Sequence, residues 1–591
     1  MSHKPTAEQQ DILYAFGTGS HLVIEAGAGT GKTSTLKMLA AASPHERGVY
    51  IAYNRAIADE ASRSFPASVL CKTAHGLAYG AVGRAYSHRL NGPRQRAQDT
   101  ARILRINEPV KLSDKGPMIA PQQLARLVSE TLQRFCYSAD DQVQRMHVPL
   151  VNGVNSAAER AELARYLVPI AQRAWDEDIT RVDGQLRFTH DMYLKLWILT
   201  GPQLGVDYVL LDEAQDSNPA VAGLVANQDA QRILVGDRSQ AIYGWRGAVD
   251  AMASFAGERY QLSQSFRFGP AIAGEANKWL EILGAPLRLT GYDAIPSTIG
   301  HLGTPDAVLC RTNGGAISRA MTAMAAGRRV ALVGGGKDIE RLAEAAQRLQ
   351  LGIPTDHPDL FAFQSWREVQ DYVEQDSTGS DLRVFVRLID RYGSAEVIRC
   401  CARLVEEDRA DVVISTAHKA KGREWPTVAI ASDFAEPKPQ DDGTLKVFAD
   451  EAMLAYVSVT RAQHQLDREG LAWVDQLDPL WPVNPVHSPT ELAADTPAPE
   501  VNDVSPVHLV EEEQLAPVDA LTAAAREVDA QFGGRAVHWP TPAGWSVDEW
   551  DRHREERDLA TLVQCRAYRA NRAAGMDQVE AAARALLGVQ A

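Results

Sequence analysis

Lys32 and Thr33 follow directly on the glycine-rich run Ala26-Gly27-Ala28-Gly29-Thr30-Gly31. Residues of these types at this spacing handle phosphate. Backbone N–H groups of such a loop point inward around a phosphate chain, the lysine reaches its terminal groups, and the hydroxyl takes a Mg²⁺ position. Ser34, next in line, is a further candidate contact. The motif usually opens with glycine, and here that place is taken by Ala26. A second pair, Asp212-Glu213, follows the apolar run Val209-Leu210-Leu211. Two carboxylates after a buried strand suit a triphosphate site, with Asp212 holding the metal beside Thr33 and Glu213 polarising the attacking water. The expected ligands are a nucleoside triphosphate and Mg²⁺.

Such groups work only if the chain brings them together. HLVIEA before the loop reads as a buried strand, and KTSTL after it opens a helical pattern. Ligands of open α/β sheets gather at the carboxyl ends of the strands, so the loop at Ala26 and the acids at Asp212 are expected to meet there. Short apolar runs alternating with helical patterns predict α/β layering around a parallel sheet.

The chain has 591 residues, 45% hydrophobic and 23% charged, which predicts several domains. No apolar run is long enough to span a bilayer, so no membrane association is expected. The opening MSHKPTAEQQ lacks the apolar core of a signal peptide, and a cytoplasmic location is expected, or a nuclear one in a eukaryotic cell. Six cysteines form no metal-ligand pattern and read as reduced thiols. Net charge is −15, which argues against coating nucleic acid through bulk charge. A local basic groove stays compatible with it, because phosphate contacts need clustering rather than excess.

The patterns divide the chain into an α/β domain from residues 1–75 and 205–268, interrupted by a helix-rich insertion at 76–204. A second α/β domain spans 269–336 and 410–477, with a mostly helical insertion at 337–409. Residues 478–591 turn Pro-rich and acidic and read as a linker, with two short helices near the end, SVDEWDRHREERDLATLV and MDQVEAAARALLG.

VLLDEAQDSNP, with GDRSQAIYGWRGA soon after, resembles motifs II and III of superfamily 1 helicases of the UvrD/Rep/PcrA type. Other matches follow in that family's order: TAEQQ with Gln9, YIAYNRAIADEA, KTAHGLAY, LSQSFR, VVISTAHKAKGREW and YVSVTRA. In wording, AYNRAIADEA and STAHKAKGREW are most like the F-box DNA helicase branch, although no F-box is seen. The resemblance runs from residue 9 to about 463. It implies two RecA-like P-loop domains with helical insertions, followed here by the Pro/acidic C-terminal tail.

The resemblance also implies roles. Arg267 and Arg461 match arginine fingers that approach from the facing domain or from its boundary, Gln240 the γ-phosphate sensor, Gln9 and Phe266 the adenine contacts, and Glu424 the ribose contact. Tyr53, Asn54, His75, Thr416 and His418 match contacts to single-stranded DNA. Tyr243, Trp245 and Arg246 add stacking aromatics with a basic partner, the means by which single strands are held without sequence preference. Tyr193 and Trp197, one helical turn apart, are expected in the core instead. The arginine-rich stretch around Arg84, Arg89, Arg94, Arg96, Arg102 and Arg105 reads either as a solvated face or as a phosphate contact. The implied activity is ATP-driven translocation on single-stranded DNA with unwinding at single/double-strand junctions, of 3′→5′ polarity. The 337–409 insertion is shorter than in long family members, which leaves a translocase that strips proteins from DNA as an alternative. A recruitment factor acting through its tail, with that tail docking a protein partner, is a further one.

Overall fold

The computed structural model describes residues 4–476, except 91, 93–94, 113–117, 152–153, 155, 243–249, 356, 358–359, 361–362, 364, 376–379, 435 and 438–446. The predicted tail helices lie outside the described residues.

Two six-stranded sheets organise the chain. The first is built from β1 (Leu22–Ala26), β2 (Gly48–Ala52), β3 (Val69–Thr73), β4 (Tyr208–Leu211), β5 (Gln231–Gly236) and β6 (Glu258–Leu262). Their order is β3-β2-β4-β5-β1-β6, and every pairing is parallel. Strands β2 and β4 are buried along their whole length. Continuous apolar runs are what a parallel sheet covered on both faces demands. In this order β1, β4 and β5 lie side by side, so their carboxyl ends converge.

Between β3 and β4 the chain leaves the sheet as a helical layer, including helices Pro121–Tyr137, Ala157–Ala174 and His190–Ile198. Its core holds Phe135, Trp175, Phe188, Tyr193 and Trp197. Tyr193 and Trp197 are both buried, as their helical spacing predicts. The arginine-rich stretch is mixed. Arg89 is buried on Asp178 and four backbone carbonyls and serves packing, whereas Arg102 is exposed beside Asp99.

The second sheet comprises β7 (Thr298–Ile299), β8 (Ala307–Cys310), β9 (Val330–Leu332), β10 (Val412–Thr416), β11 (Trp425–Ile430) and β12 (Ala462–Asp467). It is again all parallel, in the order β9-β10-β8-β11-β12-β7. Among the described residues, the excursion between β9 and β10 includes helices Lys337–Gln350, Trp366–Gln375, Ser380–Tyr392 and Ser394–Ala402. The fold is thus two doubly wound α/β layers with a helical excursion in each. Among the described residues no helix is long and apolar enough to cross a membrane.

Candidate functional site

Strand β1 ends at the glycine-rich loop, and helix Lys32–Ala42 begins at its far side. Gly29 and Gly31 have φ of +74° and +81°, a region closed to most side chains. Space is also short at Gly29: a Cβ there would stand 2.5 Å from the Arg267 Cβ and 2.7 Å from the Ser265 Oγ. The loop is tied to the segment after β6, since the Phe266 N–H donates to the Gly29 carbonyl (2.8 Å) and the Ser265 hydroxyl to the Ala28 carbonyl (2.9 Å). Ala26 and Ala28 are buried and shape the loop through the backbone.

The loop floors a cleft of about 640 Å³ whose walls include Lys32, Thr33, Ser34, Asp212, Glu213 and Arg267. The Thr33 hydroxyl lies 3.5 Å from Asp212 Oδ2, and the Lys32 ammonium 3.5 Å from Glu213 Oε1. Glu213 takes φ of +50°, uncommon for a residue with a side chain. Strain of that kind survives where the surroundings over-determine it, and it collects at functional sites. Here Gln215 holds the Glu213 carboxylate with a 2.6 Å hydrogen bond.

Electrostatics separates the two acids. Burial and the adjoining Glu213 charge push Asp212 up to about 6, against the Tyr50 hydrogen bond and Lys32. Burial also resists ionising Glu213, but Lys32, Lys421 and the Gln215 bond outweigh it and hold Glu213 at about 2. Lys32 is likewise desolvated, yet Glu213, Asp237 and Asp212 keep its ammonium above the ordinary lysine range. The cleft therefore offers a charged amine beside a carboxylate ionised at neutral pH.

Residues from the second layer also line this cleft, among them Gly422, Glu424 and Gln463. Arg461, at the end of helix Ala449–Val459, is 1% exposed and donates to Gln240 Oε1 at 3.2 Å. Burial and the nearby Arg267 charge lower its pKa to about 9. Gln240 donates in turn to Asp237 Oδ2 at 2.6 Å. The Tyr456 hydroxyl donates to the same Asp237 oxygen (3.1 Å) and accepts from the Ala28 N–H of the loop (3.2 Å). Lys421 reaches Asp216 Oδ2 and the Gln240 carbonyl, both at 2.5 Å. Arg267 lies at the boundary between the two α/β domains read from the sequence. It leaves the segment after β6, lines the cleft, and pairs with Glu424 Oε2 at 2.5 Å.

The remaining candidates fall around this frame. Gln9 is buried on Thr35 (3.0 Å), and Phe266 stands 43% exposed at the cleft rim. Both flank Gly31, whose Cβ position lies 3.7 Å from Gln9 Nε2 and 3.9 Å from Phe266 Cδ2. Tyr53 is 40% exposed. Asn54 caps helix Arg55–Ser64, and half-buried His75 pairs with Asp191 at 3.0 Å. The Thr416 hydroxyl is turned inward, capping helix Ala417–Ala420, and His418 on that helix is half-buried. Tyr243, Trp245 and Arg246 lie outside the described residues. Tyr50, Lys421 and Tyr456 were not among the sequence candidates. A hydroxyl within an apolar run was the signal available for Tyr50 and Tyr456, whereas Lys421 sits in the basic run HKAKGR.

Comparison with known proteins places these elements. Residues 95–260 match the UvrD/REP helicase N-terminal domain, and residues 394–467 match the UvrD-like helicase C-terminal domain. The chain carries UvrD-like helicase N- and C-terminal domains. This UvrD-like chain is 32% identical over 506 residues to F-box DNA helicase 1 of Gallus gallus, covering 78% of the chain and 48% of that protein. It is 29% identical over 507 residues to F-box DNA helicase protein 1 of Schizosaccharomyces pombe, covering 78% and 57%. Against DNA helicase II of Escherichia coli it is 27% identical over 315 residues, covering 47% and 41%. The UvrD-like chain thus spans about half the length of the relatives it matches.

The donor set of the cleft fits a nucleotide-borne divalent cation. Mg²⁺ is commonly held by one or two carboxylates together with substrate phosphates and water. Thr33 and Asp212 offer that kind of oxygen set, while among the described residues no group of three or more His, Cys, Asp or Glu is placed to hold a metal alone.

Proposed function

We propose that this protein hydrolyses ATP to drive translocation along single-stranded DNA and to unwind duplex at single/double-strand junctions, with 3′→5′ polarity. One observation carries the reading: Lys32, Thr33, Asp212 and Glu213 of the first layer share a cleft that is also lined by Gly422, Glu424 and Gln463 of the second. A hydrolysis site split between two layers makes opening and closing of the cleft depend on the state of the nucleotide.

The residues divide the work. Lys32 and the loop amides hold the phosphates, and Gln9 and Phe266 take the base. Thr33 and Asp212 hold Mg²⁺, which neutralises phosphate charge when bound. Glu213, ionised and fixed by Gln215, accepts the proton of the attacking water. Arg267 and Arg461 stabilise charge on the transferring phosphoryl group. Gln240 touches Arg461 and leads by backbone to Tyr243 and Trp245, which we assign to base stacking with Tyr53 and His75.

Steady-state ATPase with and without single-stranded DNA tests this. Stimulation by DNA that disappears in Lys32→Ala is expected, and turnover indifferent to DNA overturns the motor reading. Strand displacement on substrates with 3′ or 5′ tails decides polarity. The short helical excursion between β9 and β10 favours a second reading, a translocase that strips bound proteins and unwinds weakly. DNA-stimulated ATPase without strand displacement on either tail supports that alternative.

A further inference from the structure

Strand β2 reads Gly48-Val49-Tyr50-Ile51-Ala52, and within it Tyr50 is completely buried. A phenol in an apolar layer needs a partner for its hydroxyl, because an unsatisfied buried polar group is costly. Tyr50 finds that partner in Asp212, donating to Oδ2 at 2.5 Å. The register explains the reach: Tyr50 stands opposite Leu210 on β4, two residues before Asp212. Its ring is wedged against Phe65, with centroids 4.8 Å apart, so the hydroxyl has little freedom to turn elsewhere.

The oxygen that Tyr50 engages is the one facing Thr33 at 3.5 Å. The other oxygen, Oδ1, accepts from the Glu213 backbone N–H at 2.9 Å. Asp212 is therefore held from three sides, by β2, by the loop helix and by its own successor. The bond from Glu213 fixes one end of the carboxylate, and the bond from Tyr50 fixes which oxygen is presented to Thr33. Hydrogen bonds behind a metal ligand set its orientation, and losing one commonly costs tenfold or more in metal affinity.

We propose that Tyr50 is a positioning residue that orients the Asp212 carboxylate toward the divalent cation of the bound nucleotide. The inference rests on the nucleotide-site reading above, and the test separates the two. The full chain is titrated with ADP alone and then with Mn²⁺ in the presence of ADP, with Mn²⁺ followed by electron paramagnetic resonance. Tyr50→Phe, which keeps the ring, is expected to bind metal-free ADP within about twofold of the parent and to bind Mn²⁺ roughly tenfold more weakly. Phe65→Leu, which loosens the same packing but keeps the hydroxyl, is expected to retain parental Mn²⁺ affinity. Unchanged or tighter Mn²⁺ binding by Tyr50→Phe overturns the proposal. So does an equal loss in Phe65→Leu, since packing would then be the cause. A parent chain that binds neither ADP nor Mn²⁺-ADP overturns the nucleotide reading instead. Fluorotyrosine at position 50, read by fluorine NMR, preserves the hydroxyl should Tyr50→Phe fail to fold. Its resonance is expected to shift when Mg²⁺ is added to the ADP complex, and an unmoved resonance also overturns the proposal.

Discussion

Arg461 donates through Nη2 to the side-chain oxygen of Gln240 at 3.2 Å, joining two residues 221 positions apart. The contact links the end of the second layer's helix Ala449–Val459 to the turn that follows β5 of the first. The same guanidinium also bonds to the Val457 and Arg423 carbonyls and to the Thr460 hydroxyl, so every arm is occupied. A buried cation held by four hydrogen bonds does not move freely. Displacing it toward a phosphate requires Gln240 to respond.

Replacing Arg461 by Ala is expected to lower kcat for DNA-stimulated ATP hydrolysis by about 10³-fold, the scale of losing an arginine finger. Nucleotide affinity should change far less, because Lys32 and the loop amides remain. Single-turnover kinetics with a separate nucleotide titration checks this. A matching fall in affinity would place the role of Arg461 in binding rather than turnover.

Glu213→Gln preserves the size of the side chain but removes its charge. Turnover should fall about 10²- to 10⁴-fold, the range for loss of a general base, while nucleotide binding persists. The expected result is a trapped complex, seen as retained nucleotide after gel filtration.

Gly29 sits at φ of +74° with Arg267 and Ser265 crowding its missing side chain. Gly29→Ala forces both a strained backbone and a displaced neighbour, at a cost of roughly 1–3 kcal/mol for the backbone strain alone. Loss of nucleotide binding by an order of magnitude or more is expected in equilibrium titration, accompanied by a lower urea midpoint. The exposed Ser34→Ala change, by contrast, should leave the midpoint unchanged.

Lys195 supplies a pH test remote from the cleft. Its ammonium is buried over the Phe135 ring at 4.4 Å and donates to the Ser138 and Asp140 carbonyls at 2.7 and 2.5 Å. Desolvation lowers its pKa from 10.5 to about 8. Below about pH 8 both folded and unfolded chains carry the proton, and the cost of burying charge is fully present. Between about pH 8 and 10.5 the folded chain releases the proton first, so the unfolded state binds more protons and stability rises with pH. Urea midpoints of the parent measured against Lys195→Met should therefore climb across that window, and a flat or falling difference contradicts the assignment.

Tyr53, exposed beside the cap of helix Arg55–Ser64, is expected to stack on a base. Tyr53→Ala should weaken single-stranded DNA binding by about 1–3 kcal/mol. Fluorescence anisotropy at fixed salt reads the change, and the salt dependence should stay the same because no phosphate contact is lost.

Much of the fold was legible because its signals are local. Apolar runs such as VYIA and YVLL have to be covered on both faces, and the chain places them in the middle of a parallel sheet. Tyr193 and Trp197 showed core spacing along one helix and are buried there. The loop from Ala26 to Thr33 declared its chemistry because glycine, lysine and threonine each have a physical task at a fixed offset. The partner of Arg267 was harder to read, since its sequence context does not say which residue across the cleft it meets. The same holds for Glu424, which pairs with Arg267 across 157 positions.

By itself, then, the sequence determined which groups are present and which short elements carry them: a phosphate loop, an acid pair at a strand end, two arginines and a set of aromatics. Periodicity and local sterics act over a few residues, and a chain of 591 residues can display them without any long-range contact. The tertiary structure decided which oxygen of Asp212 faces Thr33, that Tyr50 holds it there, and that Arg461 meets Gln240 rather than solvent. Those choices depend on strand order and register, which bring residues more than 150 positions apart within hydrogen-bonding distance. They also depend on burial, which makes each such bond costly to leave unmade.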